Sequence, residues 1–147
     1  MSVLAAPKPS QVLATLAASP ERAREHFAAK LSVETDSADV AADLKHGVTG
    51  FVVVDVRSAS AYADRHILGA LSLPRPTIDA ASTAGLSRDD VIVAYCWGPG
   101  CNGATKAAIQ FAALGFRVKE LIGGIEYWVR EGYATEGRRM EEPFRPG

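Results

Sequence analysis

Two cysteines stand five positions apart in this chain, Cys96 and Cys101, within the run Cys-Trp-Gly-Pro-Gly-Cys-Asn-Gly. A short apolar, β-branched segment, 91–95, precedes them and a helix-forming segment, 104–114, follows. That order puts a thiol at the carboxyl end of a buried strand, where open parallel sheets keep their sites. Several loop N–H groups can point at one centre there, and the N-terminus of the next helix adds partial positive charge. Both favour thiolate over thiol, and the thiolate is the nucleophile. Cys96 is the expected nucleophile because its place at the strand end fixes its access and its electrostatics. Gly98, Gly100 and Gly103 are expected to let the loop curl through backbone angles other residues avoid. With Trp97, Cys101, Asn102 and Ala104 they form the expected substrate-binding wall, with Arg57 reaching in from the neighbouring strand end.

Cys101 has three readings. It is a resolving cysteine that attacks a Cys96 persulfide or sulfenic acid, a second sulfur acceptor in a relay, or a residue that only lines the loop. Arg57 has two: binding an anionic donor, or a salt bridge with a nearby carboxylate. Asp55 reads as a strand-end carboxylate accepting loop N–H bonds. His66 is a general-base candidate, and Trp128 reads as packing of the last helix. Cys96, Cys101 and His66 fall short of the four ligands of a tetrahedral metal site, so neither metal nor cofactor is expected.

The elements that must hold these residues follow from pattern. Phe51-Val-Val-Val-Asp55-Val56 and 91–95 read as strands buried on both faces, and 118–122 as a third. A short strand is expected at 70–73. Helices are expected from Pro20, behind a Ser19 cap, to about residue 30, at 38–45, 58–65 and 104–114, and from Gly124 to about residue 131. A short helix is expected at 78–84. Alternating strands and helices mean an α/β fold, a parallel sheet covered on both faces. Residues 1–18 are expected to be a poorly ordered arm, 19–135 one domain with 19–34 as a helical extension, and 136–147 an irregular tail.

Bulk composition narrows the function. The chain has 147 residues, 48% hydrophobic and 22% charged, which suits one globular domain. A net charge of −1 offers no basic surface for nucleic acid or anionic membrane. No apolar run approaches a membrane span, and the first residues lack the order of a signal peptide, so a cytoplasmic location is expected. In that reducing compartment two cysteines stay free thiols.

The motifs together resemble those of the rhodanese-like sulfurtransferase family. They are Asp55-Val56-Arg57, Tyr62, His66-Ile67-Leu68-Gly69-Ala70, Leu73-Pro74, the strand ending in Cys96, and Leu114-Gly115-Phe116. The last is Leu121-Ile122-Gly123-Gly124-Ile125-Glu126-Tyr127-Trp128. The resemblance implies a five-stranded parallel sheet with helices on both faces. It also implies Cys96 cycling between thiol and persulfide, with thiosulfate or a protein persulfide as donor and cyanide or a thiol as acceptor, and a structural, hydrogen-bonding His66 in place of a general base. A single-domain enzyme of this type, monomer or homodimer, meets a small molecule or a partner protein.

One departure stands out. The family loop runs from cysteine through four residues to Arg or Lys, whereas the fifth position after Cys96 is Cys101. Aligned by the following helix, this loop is about two residues longer, and Gly103 takes the place of the arginine. No Arg or Lys lies between Trp97 and Thr105. A phosphatase needs an arginine to clamp its oxyanion, so that activity is disfavoured. Lys106, Arg57 or Arg75 must supply any cation for thiosulfate. Two further readings stay open: a non-catalytic binding or regulatory module, and a Cys96/Cys101 thiol redox enzyme of arsenate-reductase type.

Overall fold

The computed structural model describes residues 8–145, so the first part of the expected arm and the end of the tail lie outside the described residues. In chain order the elements are α1 (Pro20–Val33), β1 (Glu34–Thr35), α2 (Ser37–Lys45), β2 (Phe51–Asp55), α3 (Ala59–Asp64), β3 (His66–Ile67) and β4 (Leu71–Ser72). After a 3-10 turn at Arg75–Thr77 come β5 (Val91–Tyr95), α4 (Gly103–Ala113), β6 (Val118–Leu121), α5 (Gly124–Arg130) and β7 (Thr135–Glu136). By backbone contacts the chain divides into two compact units, one ending at Lys30 and one beginning at Leu31.

Five strands pair in the order β1-β6-β5-β2-β4, every pair parallel. The expected α/β class and five-stranded parallel sheet are therefore present. Side chains of successive strand residues point to opposite faces. On one face Val54, Ile92, Ala94 and Cys96 pack against Ala104, Ala107 and Phe111 of α4. On the other, Val53, Val93 and Tyr95 pack with Val40 of α2 and Ile125 and Trp128 of α5. Each fully buried Val, Ile or Phe in these layers contributes about 1.5–3 kcal/mol.

Local caps explain the helix starts. Asp36 accepts a bond from the Asp39 N–H at 2.9 Å to open α2, and Ser58 accepts one from the Ala61 N–H at 3.1 Å to open α3. Ser19 does the same at Arg22, with Pro20 at the first helical position.

Two expectations change. No helix forms at 78–84; the helical turn falls earlier, at Arg75–Thr77, and turns follow it. The cause is local competition: Asp79 and Ser82 exchange side-chain bonds with each other's N–H, and the Thr83 hydroxyl donates to the Asp79 carbonyl at 2.8 Å. The tail is not wholly irregular, because Glu136 and Thr135 pair antiparallel with His66 and Ile67. Both ring nitrogens of His66 are taken up there, by the Tyr62 carbonyl at 2.6 Å and the Glu136 carboxylate at 2.9 Å. This is the structural reading of His66. Trp128 likewise packs α5 on the sheet, 2% exposed, its indole N–H donating to the Ala134 carbonyl at 2.9 Å.

The strand ends are tied by Asp55, which is fully buried. Its carboxylate accepts the Arg57 Nη2–H at 2.7 Å, the Arg57 backbone N–H at 2.9 Å and the Tyr95 hydroxyl at 2.8 Å. Burial, then the negative charge of Asp55, holds the Tyr95 phenol above its ordinary pKa, so it donates rather than ionises. Removing one partner of a buried ion pair strands the other charge. Asp55→Ala should therefore cost about 3–5 kcal/mol in urea unfolding; a loss near the surface-pair range of about 1 kcal/mol would show the tie to be dispensable.

Candidate active site

Strand β5 delivers Cys96 to the sheet edge in a fixed place. Asp55 stands opposite Tyr95 in the β2–β5 register, and the Val56 N–H donates to the Tyr95 carbonyl at 3.1 Å. The next residue, Cys96, is 8% exposed and packs on the α4 side of the sheet. The loop then turns at Gly98-Pro99-Gly100-Cys101, closed by a Cys101 N–H bond to the Gly98 carbonyl at 3.0 Å, with proline at the favoured second position. Both cysteines are free thiols, and their sulfurs lie 3.0 Å apart in a hydrogen bond.

The glycines of this loop serve a purpose other than the expected one. Gly98, Gly100 and Gly103 are absent from the positive-φ residues. Space is the constraint: a Cβ on Gly103 would lie 2.8 Å from the Cys96 sulfur and 3.4 Å from that of Cys101. A Cβ on Gly98 would collide with the Glu126 side chain, whereas Gly100 has open space. The conformational demand falls instead on Gly123 and Gly124, with φ of 84° and 58°. At Gly124 a Cβ would lie 2.6 Å from the Cys96 carbonyl oxygen. This close approach lets the first N–H groups of α5 bind the loop: Ile125 donates to the Cys96 carbonyl at 3.1 Å and Glu126 to that of Trp97 at 2.9 Å. Nothing in the local sequence shows that the Gly-Gly pair must pass against another backbone.

With those carbonyls held by α5, loop N–H groups serve the sulfurs. The Trp97 N–H favours the ionised form of both sulfurs, and the Gly103 N–H that of Cys101. The Asn102 side chain does not cap α4. Burial, then the hydrogen bond shared with Cys101, pushes the Cys96 thiol up to about 12. Burial also opposes ionisation of Cys101, but the Cys96 hydrogen bond, the two N–H groups and the Lys106 charge outweigh it and bring its pKa down. When the pair ionises, the two sulfurs share the remaining proton, and Cys101 is the one that ionises first. This reverses the expected order: a depressed pKa belongs to the outer cysteine, because the inner one is the more buried and acts as donor.

A cavity of about 310 Å³ opens over the pair. Gly98, Gly100, Cys101, Asn102 and Ala104 line it with Cys96, as expected, and Thr105, Glu120 and the Gly123-Gly124 turn complete it. Glu120 is the one charged residue in this lining, hydrogen-bonded to the Thr105 hydroxyl. Three expected site residues are placed differently. Gly103 acts beneath the sulfurs instead of in the wall. Arg57 is bound to Asp55 and to the Arg65 carbonyl at 2.6 Å, its guanidinium over the Trp97 ring at 4.3 Å. Arg57 and Trp97 line a separate cavity of about 490 Å³ closed by the tail residues Pro143 and Phe144. Arg57 thus follows its salt-bridge reading, because the adjacent buried carboxylate outcompetes a solvated ligand. Arg75 lines neither cavity. Among the described residues no group of three or more His, Cys, Asp or Glu is arranged to hold a metal ion. No helix there is long and apolar enough to cross a membrane.

The geometry agrees with what the chain is similar to. The family model for a rhodanese-like domain matches residues 37–131. This chain belongs to the rhodanese-like domain family. A Bacillus halodurans protein, BH2092, is 55% identical over 82% of this chain and 88% of its own, with a TM-score of 0.81. The rhodanese-like domain of an Anabaena protein is 29% identical over 76% of this chain and 85% of its own, TM-score 0.68. A Rhodopseudomonas palustris protein described as a possible tyrosine phosphatase is 25% identical over 84% and 99%, TM-score 0.62. No curated protein matches the chain. Rhodanese-like membership supports a sulfurtransferase-type or related function.

The shared proton predicts an order of modification. Iodoacetamide at neutral pH should label Cys101 before Cys96, and the rate should rise with pH through a value below that of an ordinary thiol. Gly103→Ala should push the sulfurs apart and return the Cys101 rate towards that of a free thiol, about 8.5 in pKa. Peptide mapping by mass reads both outcomes.

Proposed function

We propose that this rhodanese-like domain transfers sulfane sulfur, carrying it as a persulfide on Cys96 with the Cys101 thiolate as proton acceptor. The observation that carries this reading is the 3.0 Å hydrogen bond between the two sulfurs. The buried thiol alone is a poor nucleophile; beside a thiolate it loses its proton as it attacks. The step balances: Cys96–SH, Cys101–S⁻ and a donor R–S–SH give Cys96–S–SH, Cys101–SH and R–S⁻.

The lining of the cavity bears on the donor. Thiosulfate is a dianion, and the lining presents Glu120 and no cation. Lys106, exposed on the first turn of α4, is the one basic group that acts on Cys101. This favours a persulfide donor, either a small molecule or a partner protein, over thiosulfate. It also leaves a phosphatase reading without the arginine it needs. We assign the chain to a reducing compartment, the cytoplasm, where both sulfurs stay reduced.

Recovery of the transferred sulfur tests the proposal. The reduced protein should take one sulfur atom from a persulfide donor, recovered as thiocyanate where cyanide present from the start captures it and as hydrogen sulfide where it does not, and Cys96→Ser should lose both. Failure of the wild type with every persulfide donor would overturn the reading. Glu120→Gln should lower the KM for thiosulfate roughly fivefold, since one like charge facing an anion at the surface costs about 1 kcal/mol.

A further inference from the structure

Loading a persulfide on Cys96 leaves its partner thiol in contact with the bridging sulfur. Cys101 is attached to the same loop, five residues away, with its sulfur 3.0 Å from that of Cys96 and no side chain on Gly103 to hold them apart. Resting on the sulfur-transfer reading, we propose that the pair is a persulfide-reducing site: Cys101 attacks the Cys96 sulfur, closes a Cys96–Cys101 disulfide and expels the carried sulfur as hydrogen sulfide.

The step balances without another reactant: Cys96–S–SH and Cys101–SH give Cys96–S–S–Cys101 and H₂S. The sulfane sulfur is reduced, the two cysteines are oxidised, and the proton taken up by Cys101 during loading leaves with the product. A dithiol reductant then restores both thiols for the next turn. Three features favour this course over waiting for an external acceptor. Attack within one loop is unimolecular, so an external thiol at ordinary concentrations competes poorly. The turn carrying Cys101 is exposed at Pro99 and Gly100, with open space around Gly100, so the short approach from contact to bond meets no packed wall. The cavity that receives the leaving sulfur presents the Glu120 carboxylate and no cation, which favours expulsion of an anion over its retention.

The experiment mixes reduced protein with cysteine persulfide in the absence of other thiols, then removes the donor. Wild type should release hydrogen sulfide in proportion to protein, beyond a Cys96→Ser control, and its mass should fall by two hydrogens. Dithiothreitol should restore that mass and make release catalytic. Cys101→Ser and Cys101→Ala, loaded at raised pH because they lack the Cys101 base, should instead hold an added sulfur on Cys96, with a lifetime longer than that of wild type loaded the same way by at least about tenfold, because intramolecular attack is gone. A wild type that keeps the added sulfur as long as the variants, with no disulfide, overturns the proposal while leaving sulfur transfer standing. If neither wild type nor variants take up or release sulfur, the sulfur-transfer reading falls and this inference with it.

Discussion

Everything at the sheet edge depends on one buried carboxylate. Asp55 ends β2, and its oxygens bind Arg57 and the Tyr95 hydroxyl. Tyr95 in turn accepts the Ile67 N–H at 3.1 Å, so the tie reaches from β2 through β5 to β3. Tyr95 is the residue before Cys96, so the carboxylate fixes the point from which the loop departs. A buried ion pair adds little net stability over a well-packed apolar substitute. What it adds here is position: the Arg57 guanidinium, held by Asp55, lies against the Trp97 ring and gives the loop a rigid flank.

The loop satisfies two opposed demands. Its carbonyls need donors and its sulfurs need donors, and one peptide unit cannot turn both groups the same way. Helix α5 resolves the conflict by presenting the Ile125 and Glu126 N–H groups to the carbonyls of Cys96 and Trp97. The sulfurs are left to each other, 3.0 Å apart. A glycine at 124 is the condition for that contact, because any side chain there meets the backbone of Cys96 and Trp97. Chemistry at Cys96 therefore depends on a turn nearly thirty residues later in the chain.

Charge follows the same logic. In the family pattern a basic residue faces the reacting sulfur, and here a glycine and a second thiol occupy that region. The second thiol shares a hydrogen bond with the first where a cation would have acted by attraction. The cavity lining presents Glu120 and lacks the cation that a tetrahedral anion needs.

The sequence by itself determined the layered α/β architecture, the strands at 51–55 and 91–95, the α4 helix and the two cysteines at the edge. These are set by local apolar runs, caps and short-range order, which survive in one dimension. It also carried the buried tie in outline, since Asp55 and Arg57 are two residues apart. Only the tertiary structure decided the rest. Strands β1, β3 and β7, two residues each, have no pattern of their own and exist through their pairing partners. The side of Trp97 that Arg57 occupies, the need for Gly103 and Gly124, and the position of the shared proton all depend on groups distant in sequence coming within a few ångströms. Burial, hydrogen bonding and charge set a thiol's pKa, and none of the three exists until the chain has closed around it.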